Sequence, residues 1–174
     1  MDGTRRDNEP PAGAIRRVLI RDVIAHGAGT SAINGHPDSW LDVIRLENIR
    51  LYVSHDPHAP YDDTRSAMML RHARNVTMKD VEIRWEAPHS ASWQTGLQAD
   101  QVSDLLLDGA GVAGAPSSAG TAITLKDAEN VTVRDSRAPT LHVAGTHSRN
   151  IRLLRTEAKI NTDASVPKGA VLQQ

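Results

Sequence analysis

Short runs in which every second residue is apolar recur along this chain, each preceded or interrupted by an Asn or Asp. "RNVTMKDVEIRWE" at 74–86 is one such run, and "ENVTVRDSRA" at 129–138 and "RNIRLLRTEA" at 149–158 repeat its frame. In the first, Val76, Met78, Val81 and Ile83 are apolar, with Asn75 ahead of them and Asp80 between the two pairs. Ile44, Leu46, Ile49 and Leu51 match them, with Asn48 in the Asp80 place. Val18, Ile20, Val23 and Ala25 match with Asp22 there. Leu105 and Leu107 follow Asp104, Val131 and Val133 follow Asn130, and Ile151 and Leu153 follow Asn150. The leading positions 18, 44, 76, 105, 131 and 151 are 26, 32, 29, 26 and 20 residues apart, which is solenoid spacing.

A period of two means strand rather than helix. "AMMLRHARN", "TGLQADQVSD", "AITLKDAEN" and "LHVAGTHSRN" place a further short strand ahead of four of the runs. The connectors are too short for the crossover helix of a βαβ unit. The pattern therefore predicts an all-β, right-handed parallel β-helix of about five to six coils, stacked about 4.8 Å apart. It covers residues 14–158, with 1–13 as a fraying N-terminal segment and 159–174 as a C-terminal tail. Val76, Leu105 and Val131 should stack in one inward row. Asn75, Asn130 and Asn150 suit coil corners, because Asn tolerates left-handed backbone and bonds to nearby amides. A β-sandwich also uses many short strands, but does not need one frame stacked six times. No amphipathic capping helix precedes Val18 and Ile20, so the first coil should present an open edge through which the chain self-associates.

Composition narrows the partners. Twenty basic residues against 21 acidic ones give no field that would steer the chain to nucleic acid or an anionic membrane. Cysteine is absent, which removes disulfides, thiolate nucleophiles and Cys-based metal sites. "MDGTRRDNEPPAGAI" is not a signal peptide, and no apolar run approaches the roughly 20 residues that cross a bilayer. The chain as it stands reads as cytoplasmic, with no cofactor implied.

Chemistry is expected in the connectors 26–40, 54–66 and 85–96, since loops on a rigid scaffold carry most sites. The stretch 109–122 reads as a plain surface loop of small residues. The connector 54–66 holds His55, Asp56, His58, Asp62 and Asp63 without any metal-ligand spacing. Asp62, Asp63 and Glu86 are the carboxylates left for acid–base work, although neighbouring residues on a strand point to opposite faces. Trp85 and Trp93 flank a Pro-containing loop with Glu86 and His89, and aromatic faces beside polar groups suit a sugar-binding cleft. They equally suit a loop fastening itself to the solenoid. Arg71 and His72 follow the strand "MML", and Arg71 has the fork that grips a carboxylate. His36 sits in the rigid turn "NGHPD" and completes the substrate-binding set of Arg71, His72, Trp85 and Trp93.

"IRRVLIRDVIAHGAGTSAINGHPDSWLDVIRLENIRL", "AMMLRHARNVTMKDVEIRW" and "AITLKDAENVTVRDSRA" resemble the later coils of polygalacturonase-like proteins of glycoside hydrolase family 28, over roughly residues 14–158. The resemblance implies the pectate-lyase-like β-helix fold and an acidic, pectin-like polysaccharide as partner. It also implies, for the whole family, hydrolysis by three Asp, a neighbouring His and an Arg–Lys element. Those motifs do not carry over. "NTD" stands at 161–163, beyond the last coil expected here; Asp62–Asp63 follows Tyr61; "GHP" at 35–37 lacks its second Gly; Arg-Ile-Lys does not occur. The expectation is a partial, polysaccharide-hydrolase-like β-helix that begins downstream of the catalytic coils and does not cleave glycan by itself. The alternatives are a carbohydrate-binding module and a diverged hydrolase.

Overall fold

A computed structural model describes residues 13–58, 64–117 and 119–174. Every element among them is a strand. These are β1 (Arg16–Gly27), β2 (Ser31–Asn34), β3 (Leu41–Ser54), β4 (Ser66–Glu86), β5 (Thr95–Asp108), β6 (Gly111–Val112), β7 (Thr121–Lys126), β8 (Glu129–Arg134), β9 (Thr140–Ala144), β10 (Arg149–Leu154), β11 (Lys159–Thr162) and β12 (Val171–Gln173). All pair in parallel within one continuous sheet, each coil on the next. The architecture is the right-handed parallel β-helix that the sequence predicts.

The pairing register reproduces the repeat frame. Val18 pairs with Ile44, Ile44 with Val76, Val76 with Leu105, Leu105 with Val131, and Val131 with Ile151. Val171 follows Ile151 in the same file. From Ile44 to Ile151 the members of this file are buried, because each is roofed and floored by a like side chain. The expected tail is thus part of the helix: β11 pairs with β9 and β12 with β10. The Asn161-Thr162-Asp163 stretch accordingly begins on a strand of a further coil.

Three corners bend each coil, and left-handed residues line up there. One file runs Arg17, Val43, Asn75, Asp104, Asn130 and Asn150, with φ between 53° and 57°. A second holds Asp22, Asn48, Asp80, Gly109, Asp135 and Arg155; a third holds His72, Gln101, Asp127 and Gly145. Asn and Asp adopt this backbone at low cost, and their side chains bond between coils. Asn48 Nδ2 donates to Asp22 Oδ1 at 2.8 Å, Asn130 Nδ2 to Asp104 Oδ1 at 3.1 Å, and Asn150 Nδ2 to Asn130 Oδ1 at 2.7 Å.

The corners divide each coil into faces. One carries the file from Val18 to Val171. The next, residues 23–27, 49–54, 81–86, 110–112 and 137–138, is the groove face. A third holds β2, β7, β9, β11 and the first halves of β4 and β5. A short fourth face, at 41–42, 73–74, 102–103, 128–129 and 148–149, closes the coil. Among the described residues β1 pairs only with β3; it exposes Leu19, Ile20 and Ile24, and Ile15 just ahead of it is exposed as well.

Candidate functional site

Among the described residues, the expected site residues sit on several separate elements. Trp93 is 1% exposed and stacks on Trp85, with ring centroids 4.4 Å apart; His89 tilts against Trp93 at 5.7 Å. Trp85 continues the inward alternation of Val81 and Ile83, and its Nε1 is buried without a partner. The Trp pair therefore fastens the 85–96 connector to the core. Arg71 points outward, and its Nε and one Nη donate to Asp100 Oδ2 at 3.2 and 3.0 Å. His72 turns inward at a corner, bridging the Gly35 carbonyl at 3.1 Å and the Gln101 side chain at 2.5 Å. His36 closes its own turn, its Nδ1 accepting from the Asp38 amide at 3.2 Å. Glu86 lies 3.6 Å from His26, whose ring stacks on Tyr52. Asp62 and Asp63 lie outside the described residues. No cluster of His, Cys, Asp or Glu among the described residues is arranged to hold a metal ion.

A groove appears elsewhere, on the groove face. Parallel pairing sets Ile24, Arg50, Glu82, Gly111 and Arg137 in one outward file. Beside it run His26, Tyr52 and Arg84. In the fourth coil the outward positions shrink to Gly111 and Ala113. A Cβ placed on Gly111 would meet only Glu82 Cγ, at 3.9 Å, so this coil leaves a notch. The notch is a cleft of about 330 Å³ lined by Arg50, Arg84, Arg137, Glu82, Asp80 and the glycines. It continues into a cleft of about 260 Å³ at Val112 and Pro139, then into one of about 770 Å³ reaching Arg155, Glu157 and Gln174. Arg137 lines all three sections. The 109–113 stretch, expected as a plain loop, is what carves the groove.

The arginines are not equivalent. Glu82 accepts from Arg50 at 3.3 Å and from Arg84 Nε at 2.7 Å, and Arg84 also reaches it through an Nη. Arg137 has no ion-pair or side-chain hydrogen-bond partner among the described residues. Its backbone is pinned, however. Arg137 N donates to Ala110 O at 2.7 Å, and Arg137 O accepts from Val112 N at 2.9 Å. The preceding Ser136 is buried, its Oγ accepting from Ala110 N at 3.1 Å and donating to Arg134 O at 2.7 Å. A rigid backbone thus presents an exposed guanidinium to the groove. In the notch three arginines face two carboxylates, an excess of one positive charge.

Neither the family models nor the curated proteins hold a match to this chain. Among solved structures, the A-module of the mannuronan C-5 epimerase AlgE4 of Azotobacter vinelandii is similar, at 10% identity over 90% of this chain and with a TM-score of 0.36. The match takes in 56% of that module, so the chain spans about half its length.

The signal that sequence reasoning missed was positional. Gly111 and Arg137 gain meaning only once the repeat frame sets them in file with Glu82. No helix among the described residues is long and apolar enough to cross a membrane.

Proposed function

We propose that this protein is a carbohydrate-binding β-helix, similar to the later coils of polygalacturonase-like proteins, which holds an acidic polysaccharide along the groove face without cleaving it. The observation that carries this is the Arg137 guanidinium, unpaired among the described residues, held on a pinned backbone and shared by three joined sections of one groove. A uronate carboxylate matches the guanidinium fork, and such charge-assisted bidentate bonds are the stronger ones. A groove running along the helix axis suits a linear polymer, and the stacked His26 and Tyr52 rings extend the same face. Glu82, one of the two carboxylates lining the notch, is occupied by Arg50 and Arg84, so it acts as a strut for those arginines.

Isothermal titration with oligogalacturonate should give saturable binding that weakens with salt. Arg137→Ala should lose roughly 10-fold or more in affinity, the equivalent of one charged hydrogen bond, and Arg137→Lys should recover only part of it. Equal binding of a neutral dextran, or an Arg137→Ala variant with unchanged affinity, would sink the reading. Release of reducing ends from polygalacturonate above a no-protein control would overturn its non-catalytic half.

A further inference from the structure

The fourth coil has a second notch, on the short fourth face and across the Val18-to-Val171 face from the groove. There the outward file runs Arg16, Asp42, Arg74, Ser103, Glu129 and Arg149. Charges alternate along it and pair where neighbours meet, Arg74 with Asp42 at 3.4 Å and Arg149 with Glu129 at 2.7 Å. Ser103 breaks the alternation, and its hydroxyl has no hydrogen-bond partner among the described residues. A basic and an acidic side chain are left on either side of a small one, two coil spacings apart, or about 9.6 Å.

Trp40 overhangs this gap. The turn that carries it is braced: Trp40 Nε1 donates to Pro37 O at 3.1 Å, and Ser39 Oγ donates to Gly13 O at 3.0 Å. The half-buried indole lines two adjoining cavities of about 460 and 190 Å³, and Ser103 lines both as well. Together they fall in the usual size range of small-molecule sites, roughly 300–1,000 Å³. Arg16, Arg74 and Asp38 line the larger, and Asp127, Glu129 and His147 the smaller. Two arginines against three carboxylates leave an excess of one negative charge, the reverse of the groove.

We infer that the Trp40–Ser103 notch is a binding site for a neutral pyranose. The apolar C–H face of the ring lies on the indole, which joins a large apolar surface to a fixed polar edge. Sugar hydroxyls bond to Glu129 through the oxygen that Arg149 leaves free, and to Arg74 through the guanidinium hydrogens that Asp42 does not use. The surplus carboxylate turns away a uronate, so this site and the arginine groove sort sugars by charge. The inference stands apart from the acidic-glycan reading and survives its failure.

Tryptophan fluorescence tests it, because Trp85 and Trp93 are stacked together away from this notch while Trp40 lines it. The intact chain is titrated with maltose, cellobiose, lactose and the methyl glycosides of glucose, galactose and mannose. At least one should give a saturable change, retained in Arg137→Ala. Trp40→Ala should abolish binding by calorimetry, and Ser103→Gln, which fills the floor while sparing the indole, should weaken it at least 10-fold. Ser103→Gln keeps the test valid if Trp40→Ala does not fold. No saturable change with any of these sugars would overturn the inference. So would unchanged affinity in Ser103→Gln, or displacement of the neutral sugar by oligogalacturonate in Arg137→Ala.

Discussion

Ile20 and Leu107 belong to one inward file, which passes through Leu46 and Met78, yet Ile20 is 39% exposed and Leu107 is 0% exposed. The two share a place in the repeat and differ only in what stacks on them. Leu107 has Met78 on one side and Val133 on the other, whereas among the described residues Ile20 has Leu46 on one side alone. Alternation along a strand decides which way a side chain points. Position in the stack decides how much water it loses.

The sharpest break of that comparison is a matched pair of truncations. Leu107→Ala opens a cavity between two closed coils and should cost roughly 2–5 kcal/mol. Ile20→Ala removes a side chain already facing water and should cost less than about half as much. Urea midpoints with unchanged slope measure both. Equal losses would mean that the first coil is as enclosed as the fourth.

Much of the fold was legible because the repeat is a register. Aligning 18, 44, 76, 105, 131 and 151 by eye names the residues that pair, and the Asn or Asp ahead of most of them marks a left-handed corner. Val171 was missed because its flanks, Ala170 and Leu172, lack the polar marker. For Trp85, parity favours the fastening role: it stands two residues beyond Ile83 and four beyond Val81, on the inward side. The site was less legible for a different reason. Arg137, Gly111, Ser103 and Trp40 carry no motif, and they act through neighbours distant in sequence that only stacking brings near.

The corner file offers a second contrast of the same kind. Val43 and Asn130 both hold left-handed backbone, at φ 57° and 53°. A β-branched residue is strained there, while Asn is tolerated. Asn130 also donates to Asp104 and accepts from Asn150. Asn130→Val should therefore cost roughly 2 kcal/mol, combining the backbone penalty with a lost bridge between coils. Val43→Asn should stabilise by roughly 1 kcal/mol, since the same backbone is then held by a residue suited to it. Opposite shifts in the thermal midpoint are expected. A loss in Val43→Asn would show that Val43, 36% exposed, contributes more by packing than it costs in strain.

The smallest effect lies on the outer ladder that ties closed coils together. Asp42, Asp108 and Asp135 are each held below the ordinary carboxylate value of 3.8. The cause for Asp42 is the Asn75 amide, aided by Arg74; for Asp108 it is Arg134, and for Asp135 it is Arg155. Partial burial opposes the shift in all three and does not overcome it. The unfolded chain therefore binds these protons more readily than the native one does. Their contribution to stability is complete above the unfolded value and disappears as pH falls through the lower native values. Between pH 7 and 5 these three groups leave the urea midpoint unchanged; between pH 4 and 2 it drops. Asp108→Asn isolates one rung, since it removes the negative charge that Arg134 meets at 2.7 Å. The variant should be less stable than the wild type at pH 7, and the difference should narrow below pH 4. A constant difference across that range would mean that the ladder is not what acid undoes, and that the closed coils are held by their inward files alone.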